Sequence, residues 1–419
     1  MIRWLAALGC SALASASCAD TLAIVHAKAW TLTADAPVED ATIVITDGKI
    51  VSVGPGAPPQ GARILDAGGQ PVTPGLMHPA SQLGLVEVGA ASETVDHTAK
   101  SPQAPGAAFD VQRAINPHAA QIQLARADGV TRAVTHPSGS STPTFDGLGA
   151  MLRLFDRGEL IEAAQVGVFA TIGARSASST VGSRAAQWQL LRSALDTAKT
   201  NLAAAATAAN RPPETLTLER VLTGRTPLVI NTHRASDVRE AAKLARDYKV
   251  RVVVIGGAEA WMVASELAAA NVAVVLNPMS NLPWSYDELG SRLDNAALLR
   301  KAGVTIAVSL GGVHSYNAGT SIREGAGLAV ANGLPYIEGL RAITTGPAAI
   351  WGVSERYGTL EPGKDGDVVL WDGDPLEPAS APTAVIVAGR EVSRHTHQSA
   401  LRDRYLPAIH KARAAAPLH

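Results

Sequence analysis

Eleven histidines are the side chains of this 419-residue chain whose ordinary pKa lies near neutral pH, and their placement is the first guide to its chemistry. His233 closes an apolar run at 227–233 and is followed by Arg234. An imidazole at the end of such a run can serve as general base, general acid or metal ligand. Glu259 follows the Gly256-Gly257 turn after a second run, and His314 and Tyr316 follow a third at 304–308. His136 ends the run 129–136, while Gln82, Glu87 and Asp96 border an apolar stretch that opens at Pro74-Gly75. The catalytic candidates are therefore His233, Glu259 and His314, with Gln82, Glu87, His136 and Arg234 as substrate contacts. Each has a plainer reading beside it. His233 could simply bond a neighbour, Glu259 could favour the positive end of a helix, and His314 could sit in a solvated loop. His78 precedes a strand end and reads as structural.

A hydrolytic metal centre needs three or four nitrogen or oxygen donors converging on one ion, with a position left for water. Here the donors are scattered singly, and no His-Glu-any-any-His pair, Gly-any-Ser-any-Gly elbow or dinucleotide glycine fingerprint is present. The Ser/Gly stretch after His136 lacks the lysine spacing of a phosphate loop. Both cysteines, Cys10 and Cys18, lie near the start, in a stretch with one early arginine, a short apolar core and small residues up to Ala19. That pattern predicts a signal peptide over 1–19 and a periplasmic or secreted protein, with a lipid anchor at Cys18 as the less favoured alternative. A chain cut after Ala19 would have no thiol chemistry.

The elements that would position these residues alternate. Apolar runs at 129–136, 165–172, 227–233, 251–255, 272–276 and 304–308 read as strands, with the stretch after Pro74 as a seventh. The eighth is uncertain: 149–154 is a candidate strand or part of an inserted hairpin. Helical patterns lie between, one expected to be capped by Asp237 with Glu240 as its capping-box partner, others over 183–210, 259–270, 294–302 and 321–332. This order predicts an α/β fold with a (β/α)8 barrel over 74–355. Short strands with Gly/Asp turns at 20–73 and 356–394 predict a composite β-sandwich built from both chain ends, followed by a helical tail at 395–419. Residues 88–128 show little periodicity and read either as a lid over the barrel mouth or as a plain surface loop. A net charge of −1 gives no electrostatic case for nucleic acid, and no run past the start is long enough for a membrane span. The partners expected are a small-molecule ligand and either a second copy or an active paralogue.

The lead-in Pro74-Gly75-Leu76-Met77, the stretch Ile343-Thr344-Thr345-Gly346-Pro347-Ala348-Ala349-Ile350-Trp351-Gly352 and the closing segment 358–371 resemble the amidohydrolase superfamily, nearest its imidazolonepropionase-like and dipeptidase-like members. The resemblance covers nearly the whole chain after the leader. It implies a metal-dependent hydrolase of non-peptide C–N bonds, with zinc held by residues at strand ends. Carried over, the first-strand histidine pair falls on Ala80 and Gln82, the fourth-strand ligand near Thr171, the fifth on His233, the sixth near Gly256 and the eighth-strand aspartate near Leu310. Only His233 matches, so no family-type zinc pair is expected. Two readings follow: a hydrolase of a cyclic amide or dipeptide-like compound working through a site rebuilt around His233, or a non-catalytic ligand-binding relative or partner subunit.

Overall fold

The structure is a computed structural model that describes residues 20–100, 104–139, 144–204, 211–310 and 317–415. The expected leader at 1–19, with Cys10 and Cys18, and the candidates His314 and Tyr316 lie outside the described residues. Five strands open the chain: β1 (Thr21–Ala29), β2 (Val38–Thr46), β3 (Lys49–Gly54), β4 (Arg63–Asp66) and β5 (Pro71–Pro74). Eight follow: β6 (Leu76–Ser81), β7 (Val130–Thr135), β8 (Phe145–Arg153), β9 (Ile161–Thr171), β10 (Leu228–Thr232), β11 (Val252–Gly256), β12 (Ala273–Leu276) and β13 (Ile306–Val308). Three close it: β14 (Val368–Trp371), β15 (Pro382–Val387) and β16 (Arg390–Glu391).

Both chain ends share one sheet, in the order β16-β15-β14-β5-β1-β2-β3 with β4 alongside β1. The join is antiparallel, Val72 opposite Leu370 and Pro74 opposite Val368. The β2–β3 turn takes Asp47 and Gly48 into positive φ, at 49° and 78°, as a two-residue hairpin loop requires. Leu22, Ile24, Ile43, Ile45, Leu370 and Ile386 form this sheet's own core.

The second sheet runs β6 to β13 in sequence order, and curls until Ser309 Oγ, just past β13, donates to the Ala80 carbonyl of β6 at 2.8 Å. This is a nearly closed eight-stranded barrel. All neighbours are parallel except around β8, which is antiparallel to both β7 and β9. The eighth strand is thus the central limb of a hairpin insertion. Its connections, 136–144 and 154–160, are too short for the crossover a parallel neighbour needs.

That hairpin leaves the outer face of β8 without a crossover helix. The gap is clad by residues expected to form a lid. The 3-10 turns Gly106–Ala108 and Val111–Ala114 bury Ala107 and Val111, and Ala107 joins the apolar cluster of Phe145, Leu148 and Leu152. The Leu148 N–H donates to the Phe109 carbonyl at 2.6 Å. The end of the segment is the helix Ala120–Ala127, the crossover to β7. Of the expected lid, this middle part is barrel wall.

Inside the barrel, Met77, Ala80, Val134, Met151, Phe169, Val229, Val253, Val275 and Ala307 meet Ala348, Ile350, Trp351 and Tyr357. The last four belong to or follow the helix Thr345–Trp351 and close the end opposite the mouth. There Arg132, 1% exposed, is 2.9 Å from both Glu162 and Asp367 and lies over the Tyr357 ring at 4.4 Å. Asp365, beside it, also pairs with Arg356 and with Lys49 of β3. This buried ion network couples the two sheets. Among the described residues, no helix is long and apolar enough to cross a membrane.

Candidate functional site

The mouth lies at the C-terminal ends of the parallel barrel strands, where side chains carry chemistry in folds of this kind. Ala80 and Gln82 stand at the end of β6, His136 after β7, Thr171 at the end of β9, His233 after β10 and Gly256 at the end of β11. Because β8 runs the other way, its first residues reach the mouth, and Asp146 accepts a hydrogen bond from Thr171 Oγ1 at 2.6 Å. No local signal in the sequence marks Asp146, because only the reversed direction of β8 brings it to the mouth.

His233 is the best-placed candidate. Its ring packs against Gly256, whose φ is +92°: a Cβ at 256 would sit 2.6 Å from Cε1 and 2.8 Å from Nε2. Nδ1 is buried without a hydrogen bond, and Glu288 Oε1 is 3.9 Å away. Burial lowers the pKa of His233, against the opposing pull of Glu288 and Asp287.

Both acids come from the strap, residues 277–294, which leaves β12 and runs back past the ends of β11, β10 and β9. Asp287 pins it by accepting from the Ala174 N–H at 2.7 Å and by pairing with Arg184. Glu259 pins it a second time. One Glu259 oxygen accepts from the Gly290 N–H at 2.8 Å and the other from the Ala235 N–H at 2.9 Å. The expected catalytic carboxylate is therefore 8% exposed and has both oxygens held by backbone amides. It clasps the strap to the start of the helix Ala235–Tyr248. That helix carries Asp237 inside its first turn rather than as its cap; Asp237 instead accepts from Trp188 Nε1 at 3.1 Å and pairs with Arg234, which draws Arg234 along the helix start.

On the opposite rim, Gln82 Nε2 donates to Ser138 Oγ at 2.8 Å. His97 Nδ1 is 3.3 Å from that hydroxyl and 2.8 Å from Thr98 Oγ1, so the early part of the expected lid does meet the mouth. His136 stacks on Phe169, with centroids 4.5 Å apart, and burial pushes its pKa down to about 4. His78 is 2% exposed, has neither ring nitrogen hydrogen-bonded, and is pushed down to about 3 by burial and by His136. Glu87 is exposed and bonds Asn116, away from the strap. Leu310 is buried against the helix Ala318–Ala331: a Cβ on Gly325 would meet its Cδ1 at 2.5 Å.

The donor set does not fit the zinc pair that the family resemblance implies. Gln82 is committed to Ser138, Thr171 to Asp146, and the His233 ring fills the space where a side chain at 256 would start. Among the described residues no three His, Cys, Asp or Glu side chains are grouped to hold a metal.

The sequence model of the "Amidohydrolase family" matches residues 107–392. The chain is 44% identical over 57 residues to "Amidohydrolase tasK" of Hapsidospora irregularis, covering 14% of this chain and 6% of that protein. It is 36% identical over 116 residues to an imidazolonepropionase of Sphingopyxis alaskensis, covering 26% of each. These alignments thus span about a quarter or less of the curated relatives' own length. A solved amidohydrolase from Thermotoga maritima superposes with a TM-score of 0.79 at 25% identity, covering 89% of this chain and all of that one. A prolidase complexed with N-methylphosphonate-L-proline superposes at 0.56 and 16% identity, over 90% of this chain and all of that one, a likeness of fold. With 286 of 419 residues inside the family match and a nearly closed barrel beside a sheet from both ends, this chain belongs to the amidohydrolase family.

Proposed function

We propose that this amidohydrolase-family protein hydrolyses a C–N bond in a small cyclic amide or dipeptide-like compound, through a site built on His233 rather than on a metal pair. The observation that carries the reading is His233 itself, kept at the end of β10 with one edge toward a buried carboxylate and the ring 35% exposed. A neutral imidazole there can take a proton from water attacking a carbonyl carbon. The prolidase and imidazolonepropionase names among its relatives support the choice of substrate class. The test is turnover of the full chain on a panel of lactams, cyclic imides and dipeptides, with and without chelator, beside His233→Ala. Turnover that survives chelator and is lost in the variant supports the reading. Absence of turnover across the panel sinks it.

A second reading, a ligand-binding relative or a partner subunit of an active paralogue, is favoured by the residues at Ala80, Gln82, Gly256 and Leu310. Stable co-purification with a paralogue from the native host, together with no turnover by the isolated chain, would select it.

A further inference from the structure

We infer that Glu288 is the positioning residue of the site: it holds His233 with the ring proton on Nδ1 and leaves Nε2 bare for water. The inference deepens the hydrolase reading above and rests on it for its catalytic meaning, though the His233–Glu288 arrangement can be tested without any substrate.

Four observations converge. His233 Nδ1 is sealed from solvent and lacks a hydrogen bond, and the nearest carboxylate oxygen is Glu288 Oε1 at 3.9 Å. The side chain as a whole is 35% exposed, and Nε2, unlike Nδ1, is not sealed without a partner. The ring packs against Gly256, which leaves no room for a Cβ. The carboxylate is itself held: Glu288 is 12% exposed at its side chain, Ser285 Oγ donates to its Oε1 at 3.3 Å, and the strap is pinned on either side by Asp287 and, through Gly290, by Glu259. A gap of 3.9 Å is wider than a hydrogen bond. Such pairs are commonly long in the unliganded state and tighten when the site is filled. An acceptor beside one ring nitrogen fixes the tautomer and orients the other nitrogen.

In the step this permits, Nε2 takes one proton from water as the water oxygen bonds to the amide carbon. The C–N bond then breaks, and the same proton passes from Nε2 to the leaving nitrogen. One water is consumed, an acid and an amine are released, and the imidazole returns to its starting tautomer. The charged groups facing the ring are Glu288 and Asp287, both from the strap. Asp287 is already committed to Arg184 and the Ala174 amide, and Glu259 to two backbone amides, so Glu288 is the group left to orient the ring.

The experiment is nitrogen NMR of the full chain labelled at histidine, with His233→Gln to assign the ring signals, recorded at pH 8 on the wild type, Glu288→Leu and Glu288→Gln. The expected result is a protonated Nδ1 and a bare Nε2 in the wild type. Glu288→Leu should shift Nε2 toward the protonated region, and Glu288→Gln, which keeps an acceptor oxygen, should restore the wild-type pattern. A wild-type proton on Nε2, or identical spectra for all three proteins, overturns the inference. If Glu288→Leu does not fold, the wild-type tautomer alone decides. Failure of the turnover panel with the expected tautomer present would count against the hydrolase reading and leave the pairing standing.

Discussion

The imidazole of His233 packs against Gly256, so closely that a Cβ there would lie 2.6 to 3.0 Å from three of its ring atoms. One residue of the family's ligand pattern thus occupies the space that another would need. Gly256→Ala should displace the ring and also strain a backbone at φ +92°. The expected cost is about 1–3 kcal/mol, read as a lowered urea midpoint with a changed His233 signal. An unchanged midpoint and signal would show that the ring has another resting place.

Arg132 should be among the costliest positions to change. Replacing it with methionine leaves Asp367 buried without its cation, and Glu162 with only the more exposed Arg153 and Arg356; breaking a buried pair from one side costs about 3–5 kcal/mol. Chemical denaturation of Arg132→Met checks this, and a loss below about 1 kcal/mol would mean that Arg153 and Arg356 take over the charge.

Glu259 gives a prediction that separates holding from catalysis. Glu259→Ala frees the Gly290 and Ala235 amides, a loss of about 1–3 kcal/mol, and should raise hydrogen exchange across 282–290. Glu259→Gln keeps one acceptor and should lose less. Equal exchange in the wild type and both variants would mean that Asp287 alone secures the strap.

Acid should destabilise the protein well before its carboxylates titrate. His78 has a folded-state pKa of about 3, below its ordinary 6.5. Between those values the unfolded chain binds a proton that the folded chain refuses, so stability is present above pH 6.5 and falls as pH falls toward 3. From pH 7 to pH 5 His78 alone accounts for about 2 kcal/mol, and His136, at about 4, acts in the same direction. Urea midpoints at the two pH values measure it. His78→Leu should flatten the dependence, and a flat wild-type profile would contradict the burial of both rings.

Most of the barrel was legible because a parallel strand buried on both faces is a continuous apolar run, as at β10 and β11. The hairpin limb β8 was not, since its length and direction depend on neighbours rather than on local pattern. Its uncertain standing at 149–154 carried a consequence for the site, because only a reversed strand brings Asp146 to the mouth. The cladding at Gly106–Ala114 was hidden for the same reason: its irregular sequence gains structure from the wall it covers. Asp237 and Glu240 have the spacing of a capping box, but Glu259, 24 residues beyond Ala235, takes the Ala235 amide at the helix start. Glu288 carried no signal at all. It lies 55 residues beyond His233 and meets it only because the strap doubles back.

The sheet shared by both chain ends also constrains how the protein is made. β5 is sandwiched between β1 and β14, and 294 residues separate Pro74 from Val368. At translation rates of about 5–20 residues per second, the early strands wait on the order of 15–60 s for their partners. During that interval the edge of β5 is an open template for pairing with other nascent chains. A barrel that can begin to assemble while this sheet is unfinished makes the first-synthesised strands among the last to be completed. Chaperone dependence in the cell should therefore track shortening or slowing at the carboxyl end more closely than damage to the barrel itself.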